Sequence, residues 1–143
     1  MPKTSTKGLE FYNLSTEWRH GMPQWPSKAN MNIKVREFHA KDGLQTLEYE
    51  GIMHRGTHMD APIHVLENTP FITDYETWRF FGTGVVVSIP KGKWGVVTPE
   101  DLEAARPKIQ PGDIVMVNTG SHRNWGDNPD YFAYSQGLYK AGA

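Results

Sequence analysis

The chain has 143 residues, a formal net charge of −1, 38% hydrophobic residues and no cysteine. That length suits a single domain with a sizeable core, and the near-neutral charge offers no basic excess for a nucleic acid or an anionic membrane surface. The missing cysteines exclude thiolate metal sites, the longest aliphatic stretch, Val85-Val86-Val87-Ser88-Ile89, is too short to cross a bilayer, and the polar residues 1–10 lack the apolar core of a secretory signal, so a cytoplasmic protein is expected.

In chain order, residues 11–14 form a short apolar strand candidate, and the stretch from Gly21 to Pro26 is punctuated too heavily for regular structure. Met31, Ile33 and Val35 alternate with polar residues, as a half-buried strand requires. Residues 44–54 are a second extended candidate, leading directly into a histidine-rich window. Trp78-Arg79-Phe80-Phe81 reads as burial or a subunit contact, because such residues are enriched in cores and interfaces; most of the five tryptophans are expected to fill such places. Residues 85–89 are apolar on both faces and stop at Pro90, which suits a strand covered on both sides.

Thr98-Pro99-Glu100-Asp101 predicts a helix start. Thr98 is a good N-cap, Pro99 fits the first helical position, and Asp101 stands three residues after the cap, as in a capping box. Pro107 closes that helix, and Pro111-Gly112-Asp113 turns into the apolar strand 114–117. The resulting strand, helix, strand order is typical of a parallel or mixed sheet, hence an α/β class. Residues 118–126 then leave the strand as a polar loop, a place where α/β proteins commonly put ligand contacts. His122 in that loop reads as a solvated residue, as do His20 and His39. The chain ends at Lys140-Ala141-Gly142-Ala143, where a further helix is expected to begin. No internal repeat or linker divides it, so one domain over 1–143 is expected.

The window is His54-Arg55-Gly56-Thr57-His58-Met59-Asp60-Ala61-Pro62-Ile63-His64. His54, Gly56, His58, Asp60, Pro62 and His64 share one parity, so an extended backbone would point them to one face and turn Met59, Ala61 and Ile63 to the core. A helix would also bring His54 and His58 together, but Gly56, β-branched Thr57 and Pro62 argue against it. With no side chain at Gly56, space is left between the histidines for an ion or a substrate. Two imidazoles and one carboxylate suit Zn²⁺ or another first-row ion such as Mn²⁺ or Fe²⁺, and three protein ligands leave a coordination position open, as in catalytic sites. Two competing readings are a loop whose histidines and aspartate merely hydrogen-bond the backbone, and a structural ion closed by His20 or His39 as a fourth ligand.

The pattern H-x-G-T-H-x-D-x-P-x-H resembles the signature of the cyclase family of metal-dependent hydrolases, which includes kynurenine formamidases and isatin hydrolases. Mapped position by position, the resemblance implies that His54, His58 and Asp60 are metal ligands, that Asp60 bridges to a second ion where two are bound, and that His64 is the general acid/base. Gln24-Trp25-Pro26 resembles the family's tryptophan-proline turn, which implies that the Trp25 indole lines the substrate pocket; Ser27 and Lys28 stand where the family usually has glycine and an acidic residue. Thr119-Gly120 and Trp125 match further family positions. The resemblance implies a swivelling β/β/α fold, one or two Zn or Mn ions per site, and a homo-oligomer. It also implies a further histidine and glutamate from a C-terminal half, which no stretch after Asn118 supplies. The chain is therefore expected to be the N-terminal portion of such a fold, its missing half lost or carried by a companion chain.

On this reading the ion lowers the pKa of water from about 15.7 towards about 7, and the resulting hydroxide attacks a carbonyl. A proton must then reach the leaving nitrogen, the task expected of His64. The expected activity is hydrolysis of non-peptide C–N bonds in a small aromatic amide or lactam, of the arylformamidase or isatin-hydrolysing kind, with N-formylkynurenine of tryptophan catabolism as one such substrate. The alternative is a non-catalytic metal-binding or assembly fragment of a split protein.

Overall fold

A computed structural model of the chain describes residues 3–25, 27 and 31–139. It divides into two compact units, Met1–Met59 and Asp60–Ala143.

The first unit is built from two antiparallel hairpins. Strands β1 (Lys3–Thr6) and β2 (Leu9–Tyr12) pair with Thr6 opposite Leu9, leaving Lys7-Gly8 as a two-residue turn. Both turn residues have positive φ, at 50° and 77°, the backbone hand that matches the twist of the flanking strands. Leu9, Phe11 and Tyr12 are all at least half exposed on this hairpin. Strands β3 (Asn32–Glu37) and β4 (Thr46–Glu50) form the second hairpin, joined through the short helix α1 (His39–Asp42), with a register shift between Val35 and Glu37. Its start is anchored by Met31, which is 3% exposed, whereas Val35 on the expected apolar face stays open. Arg36 and Lys34 reach Glu48 and Glu50 across the strands at 2.7 and 3.7 Å. Exposed pairs of this kind add little to stability.

The second unit begins with three single-turn 3-10 segments, Pro62–His64, Ile72–Asp74 and Thr77–Phe80. Its centre is the pair β5 (Gly84–Ser88) and β7 (Ile114–Asn118), parallel and in register from Gly84 opposite Ile114 to Ser88 opposite Asn118. Between them the chain passes through β6 (Val96–Val97) and helix α2 (Pro99–Ala104). After β7 follow a 3-10 turn at Ser121–Asn124, helix α3 (Pro129–Phe132) and β8 (Gly137–Leu138), which pairs in parallel with β6. Val87, Ile89, Val97 and Ala105 make the core, with Leu102 and Ile109 packed against it. Val87 is fully buried, a placement that contributes about 1.5–3 kcal/mol for a side chain of its kind.

Small antiparallel and parallel sheets with few short helices agree with an α/β class. The strand, helix, strand order over 84–118 is as expected, and so is the start of α2: Thr98 accepts a hydrogen bond from the Asp101 amide at 3.3 Å, and Asp101 accepts one from the Thr98 amide at 2.8 Å. Two burial expectations are corrected. Val86 is 59% exposed, so β5 is covered on one face only: Val85 and Val87 belong to the cluster with Leu102, Ala105 and Ile109, whereas among the described residues Val86 is left outside it. Trp78 and Phe81 are 68% and 88% exposed, and the other tryptophans are exposed too, so these rings do not fill the core. The Arg79 guanidinium instead lies over the Tyr75 and Trp78 rings, at 5.8 and 5.5 Å from their centroids. Pro26, Lys28 and the expected helix start at 140–143 lie outside the described residues.

Candidate metal centre

Strand β4 ends at Glu50, and the next residues take no regular structure until Pro62. The exit is pinned by Tyr49, whose hydroxyl donates to the Ile52 carbonyl at 2.7 Å while its ring packs against Trp18 at 5.1 Å. Beyond it the chain bends instead of extending. Gly56 takes φ +62°, a left-handed conformation that breaks the parity of a strand. The extended expectation for the window is therefore corrected, and with it the inward orientation of Met59, which is 55% exposed.

The bend is held from a distant part of the chain. Thr57 and Thr16 exchange hydrogen bonds: the Thr16 amide donates to Thr57 Oγ1 at 2.9 Å and the Thr57 amide to Thr16 Oγ1 at 3.2 Å. A Cβ on Gly56 would meet Met22 Cε at 2.8 Å, Trp18 Nε1 at 2.9 Å and Thr16 Oγ1 at 3.1 Å, so the segment carrying Thr16 and Trp18 packs directly on this glycine. Arg55 is buried, 4% exposed, with its Nη1 donating to Gln24 Oε1. Neither the role of Arg55 nor that of Thr16 is readable from the window itself; the only signal in the sequence is that Gln24 precedes Trp25 in the turn singled out there.

Bending at Gly56 brings His54 against His58. Their rings meet edge to face with centroids 4.4 Å apart, and His58 Nε2 lies 2.8 Å from His54 Nδ1. His58 Nδ1 lies 2.8 Å from the Gly56 carbonyl, which can only accept, so in neutral His58 the proton belongs on Nδ1. The lone pair is then on Nε2, facing His54. Donation from the second ring nitrogen to a backbone carbonyl is the usual way a metal-ligating histidine is oriented.

One donor atom from each of His54, His58 and Asp60 falls within 4.8 Å of the others, and all three residues are exposed. Tetrahedral Zn²⁺ with nitrogen ligands at about 2.0–2.1 Å holds its donors about 3.3 Å apart, so the two imidazoles need to part by about half an ångström to accept an ion. The donor set fits a borderline divalent cation by chemistry and by span. The cluster comprises these three; His20, His39 and His64 stand outside it. His64 closes the 3-10 turn Pro62–His64, its amide donating to the Ala61 carbonyl at 3.0 Å, and its side chain is exposed. Trp25 is 51% exposed, and His122 is an exposed residue of the 3-10 turn after β7.

Residues 12–143 match the family model described as "Putative cyclase". The chain belongs to the cyclase family. Its donor window lies inside the matched region, as do both parallel strand pairs. No solved structure matches this cyclase-family chain. Among its described residues no helix is long and apolar enough to cross a membrane.

Proposed function

We propose that this cyclase-family chain is a metal-dependent hydrolase of non-peptide C–N bonds in small aromatic amides or lactams, of the arylformamidase or isatin-hydrolysing kind. The observation that carries the proposal is the convergence of His54, His58 and Asp60 donor atoms within 4.8 Å. Family membership supports it. The fold implied is the family's swivelling β/β/α arrangement, working as a homo-oligomer in the cytoplasm.

His54, His58 and Asp60 would hold a Zn or Mn ion, one or two per site. When bound, such an ion supplies Lewis acidity and brings the pKa of water towards neutrality. The hydrogen bond from His58 Nδ1 to the Gly56 carbonyl leaves its Nε2 lone pair available, so that His58 would serve as a ligand through that nitrogen. Buried Arg55, bonded to Gln24, holds the loop between the two histidines in place. His64 carries a ring proton to the leaving nitrogen of the substrate, so that the amine departs neutral when the C–N bond breaks. Trp25 offers a planar apolar wall to an aromatic substrate.

The test is to incubate the protein with Zn²⁺ or Mn²⁺ and N-formylkynurenine, isatin and simple lactones. Metal-dependent turnover of at least one amide or lactam is expected. Stoichiometric metal binding with no turnover of any of them would overturn the hydrolase reading, and absence of metal binding would overturn the site as well.

A further inference from the structure

Strands β5 and β7 run parallel and end together, Ser88 opposite Asn118, and their two exit loops stay side by side. The Ile89 amide donates to the Asn118 carbonyl at 3.0 Å and the Lys91 amide to the Thr119 carbonyl at 3.1 Å. Open α/β sheets bind ligands in the crevice beyond the carboxyl ends of their strands. Here that crevice is a polar cavity of about 370 Å³, whose lining includes Lys91, Thr119, Gly120, Ser121, Arg123 and Gln136. Among the described residues that line it there is no aspartate or glutamate.

Most of the wall is already hydrogen-bonded to itself. Ser121 donates its hydroxyl to Gln136 Oε1, Thr119 Oγ1 lies 2.8 Å from Ser121 Oγ, and Gln136 Nε2 donates to the Gly92 carbonyl at 3.1 Å. The Lys91 ammonium is held by Asp101 at 2.6 Å, which fixes that side of the cavity to helix α2. The wall is thus shaped before any ligand arrives, which lowers the cost of binding. Arg123 is different. Its guanidinium lies against Gly120, with Nη1 3.8 Å from where a Cβ would stand, and among the described residues it has no ion-pair partner. A forked, permanently charged donor that no carboxylate pairs among the described residues, at a wall whose one acid nearby is engaged by Lys91, selects for an oxyanion.

We infer that this cavity binds a small molecule through a carboxylate or phosphate group seated on the Arg123 guanidinium. The volume exceeds that of a bare ion and falls within the range of small-metabolite sites. The inference concerns the second unit alone and does not depend on the metal centre.

The test uses isotope-labelled full chain without added metal, titrated at constant ionic strength with inorganic phosphate, with malonate, and with chloride as the control. Saturable shifts of the amides of residues 119–123 are expected with phosphate or malonate and not with chloride. Saturation by phosphate alone assigns the cavity to phosphoryl ligands, and by malonate alone to carboxylates. Arg123→Gln should weaken binding at least about tenfold, the usual consequence of losing a hydrogen bond to a charged group, and Arg123→Lys should weaken it less. Arg79→Gln, which removes a guanidinium elsewhere in the same unit, should bind as wild type. The amide dispersion of each variant reports its fold in the same spectra. Shifts that follow ionic strength, saturation by neither anion, or a folded Arg123→Gln variant with unchanged affinity would overturn the inference.

Discussion

Gly56 is the residue on which the donor geometry turns. Its left-handed φ and the close approach of Met22, Trp18 and Thr16 leave no room for a side chain, so Gly56→Ala should lose about 1–3 kcal/mol in denaturant unfolding. The same variant should bind metal more weakly, since it moves His54 relative to His58; equal affinity in isothermal titration would contradict the arrangement. The proposed ligand and proton-transfer roles separate by substitution. Asp60→Ala should lose the ion, whereas His64→Ala should retain it and lose about 10²–10⁴-fold in turnover. Elemental analysis beside initial rates measures both, and joint metal loss would make His64 a ligand instead of an acid. The grouping of His54, His58 and Asp60 was legible because these side chains are packed into one short window. Their placement was not: parity assumes an unbroken extended backbone, and the break at Gly56 is made by Thr16 and Trp18, far away in sequence.

Helix α2 shows what local chemistry can specify by itself. Thr98, Pro99 and Asp101 name its start in the sequence, and the same residues make its cap in the structure, because every partner lies within three positions. Thr98→Ala should cost about 1 kcal/mol. Asp101 also receives Lys91, and these bonds hold its carboxyl below the ordinary carboxylate pKa, the Lys91 contact first and the Thr98 amide second. A depressed carboxylate stabilises the fold fully above its unfolded pKa, about 4, and loses that contribution as pH falls through the lower folded value. Exchange protection at the α2 amides should therefore hold from neutrality down to about pH 4 and drop below it. Asp101→Asn should remove that acid step; an unchanged pH profile would argue that the carboxylate does not stabilise the cap. Lys91 was not legible as Asp101's partner, since the pairing arises only when the loop after β5 folds back on α2.

At the scale of the whole chain, apolar surface is plentiful. Phe81, Trp78 and Val86 are each more than half exposed, and large apolar side chains left open in this number are available for association with another chain. Sedimentation equilibrium is accordingly expected to give a mass above the monomer's 16.2 kDa, and a purely monomeric species would count against the proposed homo-oligomer. Burial was the least legible property of the sequence, because β5 reads as apolar on both faces while coverage depends on what packs against it. The reciprocal bonds between Thr16 and Thr57 carry a different lesson. A donor loop with no ladder of its own is moored, like a boat to a far quay, by two hydroxyls forty-one positions apart. On the proposed metal reading, ion capture and melting of the first unit become one cooperative event: a cation at a hundred times its Kd would add about 2.7 kcal/mol to the native state. Thr57→Val, which touches no donor atom, should then lower both the melting temperature and the affinity for the ion.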